Sequence, residues 1–260
     1  MISKRTKFNL ESKRKMLLIS IALSLFVAVF LMDPIAQDQN YHQFADKDTL
    51  LLIPNFWNVI SNLPFLVIGL IGLIAIKKRC IPGSLPELRI MYAVFFVGLI
   101  FTALGSSYYH WDPNNASLVW DRLPMTISFM AFFTIVLGEN ISLILAKRAF
   151  YPLLIIGFLS VIYWVLTESR GAGDLRPYVL VQFLPVIIIP LILWLYESPF
   201  TGQRYIMAVL LAYALAKVLE HFDHEIFEIL GVMGGHPIKH VAAALGTYFF
   251  YLALKKRRFR

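Results

Sequence analysis

Eight apolar runs constrain the fold more than any other feature of this sequence. They fall at residues 16–33, 56–76, 89–110, 122–146, 150–167, 178–196, 204–221 and 237–254. Each run is close to the length that an α-helix needs to cross the hydrocarbon core of a bilayer. In lipid the backbone polar groups must be satisfied within the segment itself, which a helix achieves. We therefore predict an all-α polytopic membrane protein with eight crossings.

The composition supports a membrane protein and argues against a soluble one. Hydrophobic residues make up 58% of the chain and charged residues only 15%, whereas soluble domains carry about 25% charged residues. The single cysteine, Cys80, excludes an intrachain disulfide and a multi-cysteine metal site. The net charge of +8 does not indicate nucleic acid, because the basic residues gather at the chain ends and in short loops.

The basic residues also predict the orientation in the membrane. With eight crossings, most of the 24 Lys and Arg residues fall on the side that holds both termini and the 77–89 loop. The positive-inside rule then places both termini in the cytoplasm, and we expect a bacterial inner membrane. The first run is either a cleaved signal peptide or a retained anchor. We predict an anchor, because the 30–34 segment offers no pair of small residues for cleavage.

These patterns divide the chain into three parts. Residues 1–53 are predicted to form a basic cytoplasmic tail, the transmembrane anchor and a non-cytoplasmic loop. Residues 54–254 are predicted to form a domain of seven transmembrane helices, and residues 255–260 a second basic cytoplasmic tail.

Three histidines lie at the ends of runs that face the non-cytoplasmic side. His236 and His240 are four residues apart, so a helix would project both from one face, where they can hold one ion. Ser106 and His110 have the same spacing, and Asp121 stands near the start of the fourth run. If these helices pack together, the three imidazoles would form a metal site with an open position.

Each of these residues also has an interpretation without a metal. An interfacial histidine often caps a helix or reaches towards water. A pair of histidines four residues apart arises readily by chance. Asp121 suits the N-cap of a helix that begins just before Leu123 and Pro124.

Three stretches of the chain resemble the alkaline ceramidases. The first is Asn55-Phe56-Trp57-Asn58-Val59-Ile60-Ser61-Asn62. The second is Gly105-Ser106-Ser107-Tyr108-Tyr109-His110, followed by Asp121-Arg122-Leu123-Pro124-Met125. The third is His236-Pro237-Ile238-Lys239-His240, leading into Leu245-Gly246-Thr247-Tyr248. The resemblance covers about residues 54–254 and implies a seven-helix membrane hydrolase of the group that includes the progestin and adiponectin receptors.

The resemblance also implies roles for individual residues. It implies zinc held by His110, His236 and His240, with water as the fourth ligand. Asp121 would act on that water as general base and then as acid towards the leaving amine, while Ser106 would hold or polarise the substrate carbonyl. Zinc-activated water suits amide hydrolysis because it needs no protein nucleophile.

Other polar residues near the site carry weaker expectations. Where alkaline ceramidases have a glutamate of their calcium site, this chain has Asn55. Asp46 and Asp48 are expected in a solvated loop, and we do not assign calcium. His221 and His224 could bind a metal, but they are expected to be solvated or to support the site. Asp223 is a candidate to orient a zinc-binding histidine.

The sequence therefore predicts a zinc-dependent amidohydrolase of a ceramide-like N-acyl lipid, with no nucleic-acid partner. Two alternatives remain open. One is a receptor-like or transport protein with a structural zinc site, and the other is a hydrolase of another acyl ester or amide. The sequence leaves the lipid and the oligomeric state undefined.

Overall fold

The fold is built from helices alone. A computed structural model describes residues 4–260, with side chains from residue 10 onward. Across that part of the chain two isolated β-bridges are the only strand-like pairing, which confirms the all-α prediction. The α-helices are α1 (Lys4–Leu31), α2 (Phe56–Ile60), α3 (Leu63–Lys77), α4 (Arg89–Trp111), α5 (Asn115–Asn140), α6 (Leu143–Glu168), α7 (Arg176–Leu195), α8 (Arg204–His221), α9 (Asp223–Leu230) and α10 (Gly235–Lys256).

Six helical segments are long and apolar enough to cross a membrane. They are α1 from residue 10, α2 with α3 as one broken span, α4 with the turn before it, α5, α6 and α7. The pair α8 and α9, bent by 76°, raises this number to seven if it is counted as one span. The described residues thus form a polytopic membrane protein. Helix α10 has 22 residues, but its first turns are polar and it is not one of these spans. The count of eight crossings therefore stays a prediction.

The boundary between the fourth and fifth predicted runs is wrong by several residues. The fourth run was predicted to end at 146, but α5 ends at Asn140 and α6 begins at Leu143. The Ser142 hydroxyl accepts a hydrogen bond from the Leu145 amide and caps α6. Lys147, predicted in a loop, therefore lies in the second turn of a helix. The apolar pattern continues across this short turn, so hydrophobicity did not reveal the break.

Helix α5 lies at the centre of the bundle and is the most buried of the spans. It packs against α4, α6 and α7. Helix α10 packs against α8 and α3. Helix α3 also packs against α4, and α1 lies against α7. Close contacts between neighbours depend on glycine: a Cβ at Gly72 would lie 2.3 Å from the Phe96 ring. The apolar core extends through this whole arrangement.

A buried ion pair connects the C-terminal segment to the bundle. The Arg257 guanidinium donates to both carboxylate oxygens of Glu139 at 2.7 and 2.8 Å, and both side chains are almost fully buried. Glu139 also accepts from the Tyr92 hydroxyl at 2.7 Å, and Arg257 donates to the Gly83 carbonyl. The predicted cytoplasmic tail, residues 255–260, therefore includes a residue that packs in the protein interior, Arg257.

Candidate metal centre

The three predicted histidines meet at one end of the bundle. His110 lies in the last turn of α4, and His236 and His240 lie in the first two turns of α10. Each offers one ring nitrogen, and these nitrogens lie within 4.8 Å of one another. All three side chains are buried. The spacing of four residues thus brings two imidazoles together on α10, and helix packing adds the third.

Ser61 determines which nitrogen of His240 is available. The chain breaks between α2 and α3 at this residue, which brings the Ser61 hydroxyl to 2.8 Å from His240 Nδ1. The same hydroxyl donates its only proton to the Asn58 carbonyl. The tautomer in which Nδ1–H donates to Ser61 satisfies both contacts at once, and it leaves the lone pair of Nε2 free for a metal ion.

Asp223 fixes the start of α10. Its Oδ1 accepts from the His236 amide at 2.7 Å, and its Oδ2 accepts from the Ala45 amide at 2.9 Å. Gly234 makes room for this contact, because a Cβ there would lie 2.2 Å from Asp223 Oδ1. Asp223 therefore contacts the backbone of His236 and not its ring.

His110 contacts residues of the segment that precedes α2. Asn55 adopts a left-handed backbone conformation, and its Nδ2 donates to the His110 carbonyl at 2.9 Å. Phe44 packs with its ring centroid 4.7 Å from those of both His110 and His236. Asn55, which stands where alkaline ceramidases have a glutamate, thus contacts the backbone of a histidine of the cluster.

Ser106 and Asp121 come together where α4 and α5 are closest. A Cβ at Gly105 would lie 1.9 Å from the Trp120 carbonyl oxygen, so only glycine permits this approach. The Ser106 hydroxyl then interacts with the Asp121 carboxylate, and both residues are buried. With His240 they line one end of a single cavity.

Asp121 is not the N-cap of a helix, contrary to one of its predicted interpretations. Helix α5 begins six residues earlier, at Asn115. The Asn114 side chain accepts from the Ser117 amide, and the Ser117 hydroxyl accepts from the Asn114 amide. This capping box satisfies the free amides of the first turn, so Asp121 faces the cavity with no backbone to cap.

The cavity is deep and mostly apolar. It has a volume of about 280 Å³ and reaches from Ser106 to Phe95 along α4, a distance of roughly 16 Å along the helix axis. Its deep wall is formed by apolar and aromatic side chains: Phe65, Phe95, Leu99, Phe129, Phe132 and Val209. Its polar end contains Arg122, Lys217, Glu220 and Lys239 in addition to the site residues. Such a shape suits a molecule with one polar end and an apolar chain.

The donor atoms fit a bound metal ion. Nδ1 of His110 and Nε2 of His236 are buried and have no hydrogen-bond partner in the described part of the chain. Unpartnered buried nitrogens are costly in a folded protein, and a shared ion would satisfy them. With the free Nε2 of His240, the cluster provides three imidazole ligands and is able to hold a metal ion.

The loop before the core differs from its prediction. Asp46, expected in a solvated loop, is buried, and burial raises the pKa of its carboxyl. Its Oδ1 accepts from the Asp48 amide, and its carbonyl accepts from Asn58. Asp48 is exposed. Among the described residues, only the histidine triad forms a group of three or more His, Cys, Asp or Glu ligands.

His221 and His224 are exposed on either side of the bend between α8 and α9, as expected. Lys217 and Glu220 form an ion pair on α8, and Lys239 joins the same carboxylate.

Comparison with protein-family models gives a match. A family model described as Ceramidase matches residues 49–259, which is most of the chain. A comparison with curated proteins finds no match.

Proposed function

The chain belongs to the Ceramidase family, which implies hydrolysis of a lipid amide, and we propose that it is a zinc-dependent hydrolase of a ceramide-like N-acyl lipid. One observation carries the proposal. Three buried histidines, two of them with an unpartnered ring nitrogen, lie close together, and His240 lines a deep apolar cavity with Ser106 and Asp121. Neutral imidazole nitrogens at this separation suit zinc, which prefers nitrogen and sulfur ligands in tetrahedral sites.

The ion would be held by His110, His236 and His240. Zinc supplies Lewis acidity, which polarises a carbonyl and makes water more acidic. Ser61 keeps His240 in the tautomer that leaves Nε2 free. Asp223 holds the His236 backbone in place.

Asp121 is proposed as the proton carrier of the reaction. It accepts a proton at a carboxylate oxygen from the attacking water and returns it to the nitrogen of the leaving amine. The Ser106 hydroxyl, beside this carboxylate, donates its proton to the substrate carbonyl oxygen. The apolar part of the cavity binds the acyl chain and keeps bulk water away from the reacting amide.

The proposed orientation follows from the distribution of basic residues. Both termini are assigned to the cytoplasm by the positive-inside rule. Because the histidines lie at the end of α4 and the beginning of α10, the site then faces the non-cytoplasmic side. We further propose that residues 54–254 form the catalytic domain, with α1 as an additional anchor.

Asp121→Asn separates a hydrolase from a receptor or transporter with a structural zinc site. We expect this substitution to lower the hydrolysis rate of a short-chain fluorescent ceramide by a factor of about 10² to 10⁴, with the zinc content unchanged. Purified protein in detergent would be assayed for both quantities. Asp112→Asn, an exposed carboxylate at the same end of the bundle, is the control and should retain full activity. Full activity in Asp121→Asn would favour a structural metal site.

A further inference from the structure

Arg122 is a buried cation on the wall of the cavity, next to Asp121 in the chain. Its side chain is 93% buried, with a relative exposure of 7%. Nη2 donates to Gln37 Oε1 at 2.6 Å, whereas Nη1 is buried and has no hydrogen-bond partner. Three aromatic rings surround the guanidinium, with centroids at 4.3, 4.9 and 5.9 Å: Trp164, Tyr178 and Tyr41.

No carboxylate in the described part of the chain forms an ion pair with Arg122. Asp121 interacts with the Ser106 hydroxyl. Glu220 pairs with the two lysines of the cavity wall. Glu168 accepts from the Trp164 indole and from an asparagine amide. Asp121 attracts Arg122 electrostatically without forming an ion pair with it. The cavity wall holds three cations (Arg122, Lys217 and Lys239) and two carboxylates (Asp121 and Glu220), so it retains an excess positive charge.

An unpaired buried charge is costly in a folded protein, and a ligand of opposite charge would offset this cost. A guanidinium is planar and donates two parallel hydrogen bonds, a geometry that matches carboxylate, sulfonate and phosphate groups. The aromatic rings around Arg122 hold its plane in place without neutralising it. A neutral hydroxyl can accept a hydrogen bond from Nη1, but it would leave the charge of the guanidinium unpaired.

We propose that Arg122 binds an oxyanion on the amine half of the substrate, so that the protein acts on N-acyl lipids with an anionic head group. The proposal rests on the function proposed above. The acyl chain occupies the apolar part of the cavity, which begins at Ser106 and extends away from the polar end. The amine half therefore lies at the polar end, where Arg122 directly follows Asp121.

A matched pair of lipids tests the proposal. N-palmitoylglycine and N-palmitoylethanolamine share the acyl chain and the amide and differ in the charge of the head group. Binding would be measured by titration into nanodiscs that contain the full-length Asp121→Asn protein, in which hydrolysis is blocked. We expect N-palmitoylglycine to bind roughly tenfold to a hundredfold more tightly, as charged hydrogen bonds of this kind provide.

Variants at Arg122 show whether this residue causes the preference. In the same background, Arg122→Gln should lower the affinity for N-palmitoylglycine to that for N-palmitoylethanolamine and leave the latter unchanged. Arg122→Lys keeps the charge without the planar fork and should retain part of the preference, which covers the case in which Arg122→Gln fails to fold. Arg148→Gln, an exposed arginine on α6, is the control and should retain the full preference.

The outcomes are distinct. Equal affinities of the two lipids for the Arg122-containing protein would overturn the proposal, as would an equal loss of both in the folded Arg122 variants. N-palmitoyltaurine distinguishes a sulfonate from a carboxylate as the preferred group, and tight binding of either supports the proposal. These experiments measure binding and not hydrolysis. A wild-type protein that prefers anionic lipids but hydrolyses none would therefore refute the proposed hydrolase function and leave the proposal for Arg122 intact.

Discussion

Contacts from single residues hold the three histidines of the cluster in place. The periodicity of an α-helix was sufficient to predict that His236 and His240 share a face, and the same reasoning paired Ser106 with His110. Ser61, Asn55 and Gln37 were not predicted as parts of the site. Their contacts connect segments far apart in the chain, which local spacing does not reveal. The one available signal for Ser61 was its place in the stretch that resembles the ceramidases.

Ser61→Ala tests the role of the hydroxyl behind His240. The substitution removes the acceptor for Nδ1–H and frees the ring to rotate or change tautomer, so we expect zinc affinity to fall roughly 10-fold to 100-fold. Competition with a chelator of known affinity would measure it. Ser107→Ala is the matched control, because the Ser107 hydroxyl donates to the Val59 carbonyl and not to an imidazole. Unchanged affinity in Ser61→Ala would show that the hydroxyl does not orient His240.

At the scale of elements, the site is formed by helix ends and by close helix packing. The apolar runs predicted most helices, but not the break at Ser61 or the early start of α5 at Asn115. The start of α5 had a readable signal in Asn114 and Ser117, a capping pair that the apolar run did not include. The contact between α4 and α5 at Gly105 could not be predicted, because it depends on which helices become neighbours.

Gly105→Ala tests the requirement for close packing of α4 and α5. The added methyl group would collide with the Trp120 carbonyl, and overpacking of this kind costs about 1–3 kcal/mol. We expect a lower midpoint of thermal unfolding in detergent and a marked loss of hydrolysis, because Ser106 and Asp121 are forced apart. Leu104→Ala, on the exposed face of the same helix, should change both quantities far less. Wild-type activity in Gly105→Ala would contradict the proposed alignment.

At the scale of the whole molecule, the histidine cluster and the buried ion pair occupy opposite ends of the bundle. The triad links α4 to α10, and the Glu139–Arg257 pair links α5 to the segment after α10. Composition and charge predicted the class of protein and the resemblance predicted its family, and both results are confirmed. The pairing of Glu139 was not predicted, since nothing near it in the sequence indicates a distant arginine.

The metal content of the purified protein tests the central claim most directly. After equilibration with zinc and removal of excess metal, elemental analysis should find about one zinc per chain, as expected for a site with three histidine ligands. His236→Ala should lose both the metal and the hydrolysis of the lipid amide, while His224→Ala, an exposed histidine on α9, should retain both. A wild-type protein without zinc, or a His236→Ala protein that remains fully active, would contradict the account.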